Sequence, residues 1–418
     1  MQPDGSSSPS GSRTANPGRM SAFELRASGS LASLFALRML GLFLILPVFA
    51  VHARGHLPGG QDAVLIGVAL GIYGLTQGIL QIPFGMASDR YGRKKVIVVG
   101  LLIFALGSFF AASATDIYGV IIGRALQGAG AISAAVVAFL ADLTRDEHRT
   151  KAMAIVGSSI GLMFALSLAG APALYRAIGM NGLFILTGVL ALAGILVTWK
   201  LVPPEASHNV DPSRQVRRDT LRQVLRDKEL LRLNFGIFVL HAMQIALFVV
   251  VPLSLVEHAG MPVDEHWKIY LPVVLGSFVL MVPAILLGER GGRLKLMFLS
   301  SIAVLVAVQV GFAFFGTSRT GITVWLLGFF VAFNVLEASL PSLVSKLAPA
   351  AGRGTAIGVY NTTQALGIAA GGPIAGWLLG RYGEVAVFVF GIGLLALWFI
   401  VALPMRTPTP QTAKAQSA

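Results

Sequence analysis

Four ionisable residues lie inside long apolar stretches of the sequence: Arg38, Arg124, His241 and Glu337. A charge near the centre of a bilayer costs about 2.5–3.5 kcal/mol or more, so such residues usually have a function. Glutamate and histidine can gain and lose a proton, whereas arginine stays charged and can hold a nearby acid ionised. All four are therefore candidates for proton coupling. The alternatives are a permanent ion pair with an arginine for Glu337 and, favoured for His241, a hydrogen bond between helices.

Twelve apolar stretches are the elements that would hold these residues. Of the 418 residues, 55% are hydrophobic and only 12% are charged, and the mean hydropathy is +0.76. Because a soluble protein carries about a quarter charged residues, most of this surface is expected to face lipid. Each stretch has roughly the 20 residues of a membrane span, and a helix satisfies its backbone in lipid. The predicted spans are 31–52, 63–84, 96–113, 118–141, 152–174, 182–202, 233–256, 268–288, 296–315, 322–345, 355–379 and 385–404.

The distribution of basic residues predicts how the spans are oriented. The net charge of +13 could indicate nucleic-acid binding, but cytoplasmic loops of membrane proteins are also rich in Lys and Arg. With a cytoplasmic N-terminus, 25 of the 32 Lys and Arg residues lie on the cytoplasmic side, five lie outside, and Arg38 and Arg124 lie in spans. We therefore expect no nucleic-acid partner, a place in the bacterial inner membrane, and both termini in the cytoplasm.

The chain divides into two similar halves. Residues 203–231 are the one long polar stretch, typical of a cytoplasmic linker with a basic amphipathic helix. Six residues recur at a shift of 200: Pro83, Asp89, Arg90, Gly92, Arg93 and Lys95 match Pro283, Glu289, Arg290, Gly292, Arg293 and Lys295. Duplicated halves of this kind are a recurrent transporter design, with the substrate site between them near the midplane. The predicted units are a disordered cytoplasmic tail at 1–30, a six-helix bundle at 31–202, the linker at 203–231, a second six-helix bundle at 232–404 and a cytoplasmic tail at 405–418.

The segment 85–95, between the second and third spans, carries charges that could join helices. Gly85 permits close helix approach, and Gly92 permits a tight turn. Asp89 can accept hydrogen bonds from the start of a neighbouring helix, and the span that begins near Gly354 and Thr355 is its expected partner. We expect these contacts, with an Arg93–Asp142 pair, to close the cytoplasmic side in an outward-open state; charge that only sets topology is the alternative. The predicted conformational latch comprises Gly85, Asp89, Arg90, Gly92, Arg93, Asp142, Glu289, Arg290 and Arg293.

Segment 85–95 resembles the signature loop of the major facilitator superfamily almost position for position. Residues 124–130 are similar to the second motif of that family, and Gly41 with Pro47 resembles the first helix of its drug transporters. The resemblance implies an all-α membrane protein with 12 transmembrane helices in two pseudo-symmetric six-helix bundles. It also implies a role for Arg124 in proton transfer. Further segments resemble the YajR-like drug:proton antiporter branch, namely 35–41, 71–77, 81–85, 142–145, 265–268 and 331–334.

Polar residues within the spans outline a candidate substrate cavity. In the family that the chain resembles, the first, fourth, seventh and tenth helices line that cavity. Polar groups in lipid-embedded helices can equally be hydrogen bonds between helices, worth about 0.6 kcal/mol each, and we expect this of about half of them. The candidate cavity residues are Tyr73, Gln77, Gln81, Gln127, Gln244, Asn334, Tyr360, Asn361 and Gln364.

Three functions are compatible with these features. The resemblance favours export of a small, lipophilic or drug-like solute in exchange for protons, by alternating access. Proton-coupled nutrient uptake stays open, because residues 170–173 depart from the Gly-Pro and glycine pair of the antiporter motif. A membrane sensor that moves nothing is the third. The sequence has no phosphate-binding loop, so we expect no ATP use. It has no cysteine and no Gly-flanked nucleophilic Ser with a partner His, so we expect no enzyme activity. No His-Glu-two-residues-His pair or carboxylate cluster indicates a metal, and we expect neither a metal nor a cofactor besides the coupling proton. The expected partners are the small-molecule substrate, protons and the lipid bilayer, and the chain is expected to be a monomer.

Overall fold

A computed structural model describes residues 20–205, 218–290, 293–349 and 352–406. The predicted all-α membrane fold of two six-helix bundles is confirmed. The first bundle contains α1 (Ala22–His56), α2 (Ala63–Tyr91), α3 (Arg93–Ser113), α4 (Ile117–Ala129), α5 (Ser133–Asp142) and α6 (Arg149–Lys200). The second contains α8 (Lys228–Glu257), α9 (Trp267–Arg290), α10 (Leu294–Phe315), α11 (Arg319–Leu347), α12 (Arg353–Tyr382) and α13 (Glu384–Ala402). The short helix α7 (Arg218–Val224) belongs to the linker, whose residues 206–217 lie outside the described part.

The number of membrane passes follows from the lengths and breaks of the helices. In the described part of the chain, ten stretches are long and apolar enough to cross a membrane. One of them falls in α6, which has 52 residues and a non-helical Gly179 with φ 68° and ψ −176°, so α6 makes two passes. The thirty-residue α12 is not among the ten, because its glycines and polar residues together make it less apolar than the other spans. These two helices bring the count to twelve.

The start of α1 corrects one predicted boundary. Residues 22–30 were expected in a disordered tail, but α1 begins at Ala22. Ser21 and Glu24 form a capping box, in which the Ser21 side chain accepts from the Glu24 amide and the Glu24 side chain accepts from the Ser21 amide. This arrangement satisfies amides that the first turn leaves free. The rest of the predicted tail, residues 1–19, lies outside the described residues.

The predicted span at 118–141 is interrupted. Its helix ends at Ala129 and resumes at Ser133, where α4 and α5 meet. A Cβ atom on Gly130 would overlap the carbonyl oxygen of Gly100 in α3, so the break lies where the backbones of the two elements touch. The interruption was not predicted, because the apolar pattern continues through it.

The two bundles pack against each other along α2 and α12. A Cβ atom on Gly67 of α2 would overlap the carbonyl group of Gly372 of α12, so this backbone approach requires glycine. Near the same end of the bundles, Arg54 of α1 pairs with Glu257 of α8, with 2.5 Å between Nη1 and Oε1. We call this end, where α1 ends and α2 begins, the Arg54 end.

The opposite end, where α2 ends and α12 begins, is the Asp89 end. The side chain of Asp89 is 55% exposed there. A Cβ atom on Gly354 or Gly358, in the first turns of α12, would meet none of the described atoms within 4 Å. The described parts of the bundles are therefore closed against each other at the Arg54 end and separate at the Asp89 end.

Candidate functional site

Arg38 lies buried inside the first bundle and is held by neutral groups. Only 1% of its surface is exposed. Its Nη2 donates to the Tyr73 hydroxyl at 2.6 Å, and its Nη1 donates to Ser133 Oγ at 3.1 Å. The guanidinium also lies 5.6 Å from the centroid of the Phe104 ring. Among the described residues no carboxylate pairs with Arg38, so aromatic faces and hydroxyl groups stabilise its charge.

Arg124 of α4 is also held by neutral groups and an aromatic ring. It is 1% exposed, donates from Nη1 to Gln127 Oε1 at 2.9 Å, and lies 5.2 Å from the Tyr73 ring centroid. Its Nε donates to the carbonyl oxygen of Ala69 at 3.3 Å. Gln127 is fixed in turn, since its Nε2 donates to Ser108 Oγ at 2.8 Å. Tyr73 therefore lies against two buried cations, and we call Arg38, Tyr73, Arg124 and Gln127 the arginine cluster.

A second polar cluster lies in the other bundle, where α8, α11 and α12 meet. Gln364 Nε2 lies 2.7 Å from His241 Nε2 and 3.5 Å from Glu337 Oε1. The His241 Nε2 and Glu337 Oε2 atoms are 3.8 Å apart. Because His241 Nδ1 is 3.3 Å from the Ile237 carbonyl oxygen, a neutral ring would carry its proton on Nδ1 and accept from Gln364. We call Glu337, His241 and Gln364 the acid cluster.

The acid cluster has unsatisfied polar atoms. Glu337 Oε2 and the Tyr360 hydroxyl are buried, and neither has a hydrogen-bond partner in the described part of the chain. No arginine pairs with Glu337 there, which disfavours the permanent ion pair that was the alternative. The side chain of Glu337 is 36% exposed, so part of it faces open space. Glu337 and His241 can each gain and lose a proton, although 3.8 Å is longer than a direct hydrogen bond between them.

The other predicted cavity residues fall into separate environments. Asn334 donates to Ser277 Oγ at 3.1 Å, which is a hydrogen bond between helices. Gln81 and Gln244 are buried, and Gln81 Oε1 has no partner among the described residues. Gln77 and Asn361 are half-buried. Tyr73 and Gln127 belong to the arginine cluster, and Gln364 belongs to the acid cluster.

A small cavity of about 90 Å³ lies elsewhere, among α8, α12 and α13. It is lined by apolar side chains that include Phe238, Met243 and Ile374. Ligand pockets for drug-sized molecules usually have about 300–1,000 Å³ and several polar groups. This cavity is therefore too small and too apolar to be the substrate site.

Three charged residues of the predicted conformational latch are joined within the first bundle. Arg93 pairs with Asp89, and its Nε lies 3.0 Å from Asp142 Oδ2, so the predicted Arg93–Asp142 pair is present. Its Nη1 also donates to Ser88 Oγ at 2.6 Å. Gly92 has a φ of 105° at the turn, and the Arg90 guanidinium lies 5.4 Å from the Tyr91 ring centroid. Arg93 is thus held by two carboxylates from α2 and α5.

The predicted contact between Asp89 and the start of α12 is not formed in this conformation. The described residues near Gly354 leave that helix end open, and Asp89 is more than half exposed. We expected this contact only in the outward-open state, so it stays a prediction.

The other predicted latch residues lie in the following places. A Cβ atom on Gly85 would lie 3.5 Å from the Cβ atom of Ala134. The side chains of Glu289 and Arg290 lie outside the described residues, and Arg293 precedes α10 as its N-cap.

Two acids at the Asp89 end were missed by sequence reasoning. Glu24 accepts from the amide, Nε and Nη2 of Arg145 at 2.9–3.1 Å, and this carboxylate raises the pKa of the Arg145 guanidinium. Glu205 Oε1 accepts from the Lys94 amide at 2.5 Å, next to the turn at Gly92. The Ser21-to-Glu24 spacing of a capping box was a readable signal for Glu24. No local sequence pattern indicated that Glu205 would make this contact.

Two ion pairs that join the bundles were also missed. Arg54 pairs with Glu257, and Arg176 pairs with Asp264 at 3.3 Å. Each pair links the first bundle to the second at the Arg54 end. Arg54 and Arg176 were predicted only as charges on the outer side, because sequence alone does not show which loops meet.

Comparison with known proteins identifies the class of this membrane protein. The sequence profile of the Major Facilitator Superfamily matches residues 31–372 and, in a second match, 273–418. The chain therefore belongs to the Major Facilitator Superfamily, and it is a multi-pass membrane transporter of that family. Members of the family are generally not enzymes.

The sequence is similar to individual members of that family. The chain is 44% identical to the "Inner membrane transport protein YajR" of Escherichia coli strain K12, over 94% of this chain and 86% of the relative. It is 26% identical to the "Multidrug resistance protein MdtH" of Aeromonas salmonicida strain A449, over 79% and 81% of the two chains.

Solved structures show the same fold at low identity. A bacterial homologue of the human lysosomal transporter Spinster, in an inward-facing and unoccupied conformation, superposes with a TM-score of 0.72 at 14% identity and covers 94% of this chain and all of its own. A D-xylose–proton symporter superposes with a TM-score of 0.70 at 16% identity, over 91% and 98% of the two chains. At this level of sequence identity, both structural similarities show the fold only.

Proposed function

We propose that this chain is a proton-coupled secondary transporter that exports a small, lipophilic, drug-like solute across the bacterial inner membrane in exchange for protons. The acid cluster is the observation that carries this proposal. Glu337 is an acid within a membrane-spanning helix, and its side chain is partly exposed near an imidazole. One of its carboxylate oxygens makes no hydrogen bond in the part of the chain that the structure describes. Such a residue in a membrane span is normally functional. The proton is the one coupling ion proposed, and the transporting unit is a monomer.

The packing of the two bundles supports an alternating-access cycle. We take the Asp89 end as cytoplasmic, in accord with its basic residues, so that the described conformation is inward-open. The Arg54–Glu257 and Arg176–Asp264 pairs then close the outer side. In the opposite state these pairs separate, and Asp89 meets the start of α12 to close the inner side.

The arginine cluster and the acid cluster have different parts in this cycle. Arg38 and Arg124 supply fixed positive charge in the first bundle, which disfavours binding of a proton or a cation there. Glu337 and His241 supply groups that can exchange a proton in the second bundle. A proton that binds at Glu337 from one side and leaves on the other would couple the cycle to the proton gradient.

The proposal of export of a drug-like solute is supported by the similarity to known transporters and not by the shape of a binding pocket. One relative named above is a multidrug resistance protein and another is an inner-membrane transport protein. The departure at residues 170–173 favours the second candidate, proton-coupled uptake of a nutrient, because this stretch lacks the antiporter motif's glycine pair.

Transport by proteoliposomes separates these candidates. Vesicles that hold the purified chain and are acid inside should take up a lipophilic cation such as ethidium, because protons leave as the cation enters. A symporter would instead accumulate a sugar such as xylose when the outside is acid. Movement of neither probe under either gradient would support a sensor and contradict transport. Protein-free vesicles are the control for passive entry of ethidium.

A further inference from the structure

Two histidines lie one helical turn apart at the Arg54 end of α1. The His52 and His56 ring centroids are 5.0 Å apart, and the ring planes differ by 7°. Residues at i and i+4 share one face of a helix, so the two imidazoles project from the same side of α1. Neither belongs to the arginine cluster, the acid cluster or the conformational latch.

The surroundings of His52 favour a free Nε2 atom. Its Nδ1 lies 2.9 Å from the Tyr175 hydroxyl of α6, and the Tyr175 ring meets the His52 ring edge-on at 5.7 Å. When Nδ1 carries the ring proton and donates it to this hydroxyl, Nε2 keeps its lone pair for another partner. Histidines that bind metals commonly have their second nitrogen fixed in this way.

The pair can be reached from solution, and neither ring is paired with a carboxylate in the described part of the chain. His56 is exposed and His52 is half-buried. By contrast, His148 and His266 are buried, and His258 Nε2 is 2.7 Å from the Glu384 carboxylate. Two imidazoles at chelating spacing, one of them oriented by a second residue, are thus accessible at this end of the molecule.

We propose that His52 and His56 form a binding site for a divalent transition-metal ion such as Zn²⁺ or Ni²⁺. Two histidines at i and i+4 on one helix face are the spacing that many zinc sites use. Both Nε2 atoms would turn toward one ion, at the roughly 2.0–2.1 Å typical of zinc–imidazole bonds, and water would complete the coordination. Imidazole ligands favour Zn²⁺, Ni²⁺ and Cu²⁺, whereas Mg²⁺ and Ca²⁺ prefer oxygen.

The test is metal binding by the purified full-length chain without a polyhistidine tag. Isothermal titration calorimetry with ZnCl₂ and with NiCl₂ should show one bound ion per chain, and MgCl₂ should show none. His56→Gln should weaken the affinity for Zn²⁺ at least ~10-fold, because one of the two ligands is lost. His56 is exposed and makes no described hydrogen bond, so this variant keeps the fold.

Two further variants sharpen the result. His258→Gln removes a histidine near the same end that is occupied by Glu384, and it should bind Zn²⁺ as the wild type does. Tyr175→Phe should weaken binding about 10-fold, because His52 loses the partner of Nδ1. Thermal unfolding without metal checks that each variant is folded. Zn²⁺ binding that persists in the double variant His52→Gln/His56→Gln, or no binding by the wild type, would overturn the proposal.

Discussion

The two bundles hold their buried polar residues in opposite ways. In the first, Arg38 and Arg124 are almost fully buried, and their described partners are neutral groups and aromatic rings. In the second, Glu337 is partly exposed, and one of its carboxylate oxygens has no hydrogen-bond partner among the described residues. The first cluster keeps a fixed charge in place through several contacts, although Arg38 Nε has no partner among the described residues. In the second cluster the unsatisfied atom belongs to a group that can gain and lose a proton.

This difference indicates where a mobile proton can bind. A buried arginine does not release its proton, and its hydrogen bonds keep the charge in place. An acid beside an imidazole can change its protonation and its partners when the bundles move. The repeated halves are therefore similar in fold and different in chemistry.

The largest expected effect comes from Glu337→Gln. Glutamine keeps the shape and the hydrogen bond to Gln364 but cannot carry a proton between the two sides. Gradient-driven ethidium uptake by proteoliposomes should fall about 10-fold or more, which corresponds to ~1.4 kcal/mol. Exchange of ethidium without a gradient should persist. Glu265→Gln, at an exposed pair with Lys268 that has no part in the proposed cycle, is the matched control. Equal gradient dependence of the two variants would remove Glu337 from the mechanism.

Arg124→Met tests the first bundle. Methionine fills a similar volume but leaves the Gln127 oxygen and the Ala69 carbonyl group without the guanidinium, at a cost of about 1–3 kcal/mol for each buried group that stays unsatisfied. We expect a lower unfolding temperature and slower ethidium transport that still depends on the pH gradient. Loss of gradient dependence at unchanged stability would instead place a proton-transfer role at Arg124.

Gly67→Ala tests the contact that closes the Arg54 end. The added Cβ atom overlaps the Gly372 carbonyl group, and overpacking of this kind costs typically ~1–3 kcal/mol. The population should shift toward a state in which α2 and α12 separate at this end. Because the chain has no cysteine, spin labels at Gln61→Cys and Tyr382→Cys can report that distance without background.

The control for this variant is Gly393→Ala in α13, where a Cβ atom would meet none of the described atoms within 4 Å. Its label distances should match those of the unaltered chain. If Gly67→Ala gives the same distance distribution as Gly393→Ala, the glycine contact does not hold the two bundles together.

The smallest effect on folding is expected from Asp89→Asn. Arg93 keeps its Asp142 partner, and an ion pair to a side chain that is 55% exposed contributes about 0–1 kcal/mol. The unfolding temperature should hardly change. Ethidium transport should still slow several-fold, because asparagine is a poorer partner for the start of α12 when the inner side closes. Unchanged transport would discard the conformational latch.

Much of the fold could be predicted from the sequence because lipid imposes a simple pattern. Each span needs a run of apolar residues, and predicted and observed boundaries agree for most helices; the span predicted at 63–84, for example, begins at Ala63. The break at Gly130 could not be predicted, since it depends on where α3 touches this stretch. The helical start at Ala22 was missed because a capped helical extension outside the apolar run has no hydropathy signal.

The site was harder to predict than the fold. Arg38, Arg124, His241 and Glu337 could be selected because they are ionisable residues within apolar stretches. Gln364 was predicted only as a cavity residue. That Gln364 contacts both His241 and Glu337 depends on the packing of α12 against α8 and α11. The ion pairs of Arg54 and Arg176 join residues about 90–200 positions apart, and no local pattern specifies such partners.

Substrate-driven proton movement tests the account most directly. Ethidium added to lightly buffered proteoliposomes with a pH-sensitive dye inside should drive a change in internal pH with the unaltered chain. With Glu337→Gln the dye signal should be absent, while Arg124→Met should retain a slower one. A proton signal of equal size and rate in Glu337→Gln and the unaltered chain would contradict the assignment of the mobile proton to the second bundle.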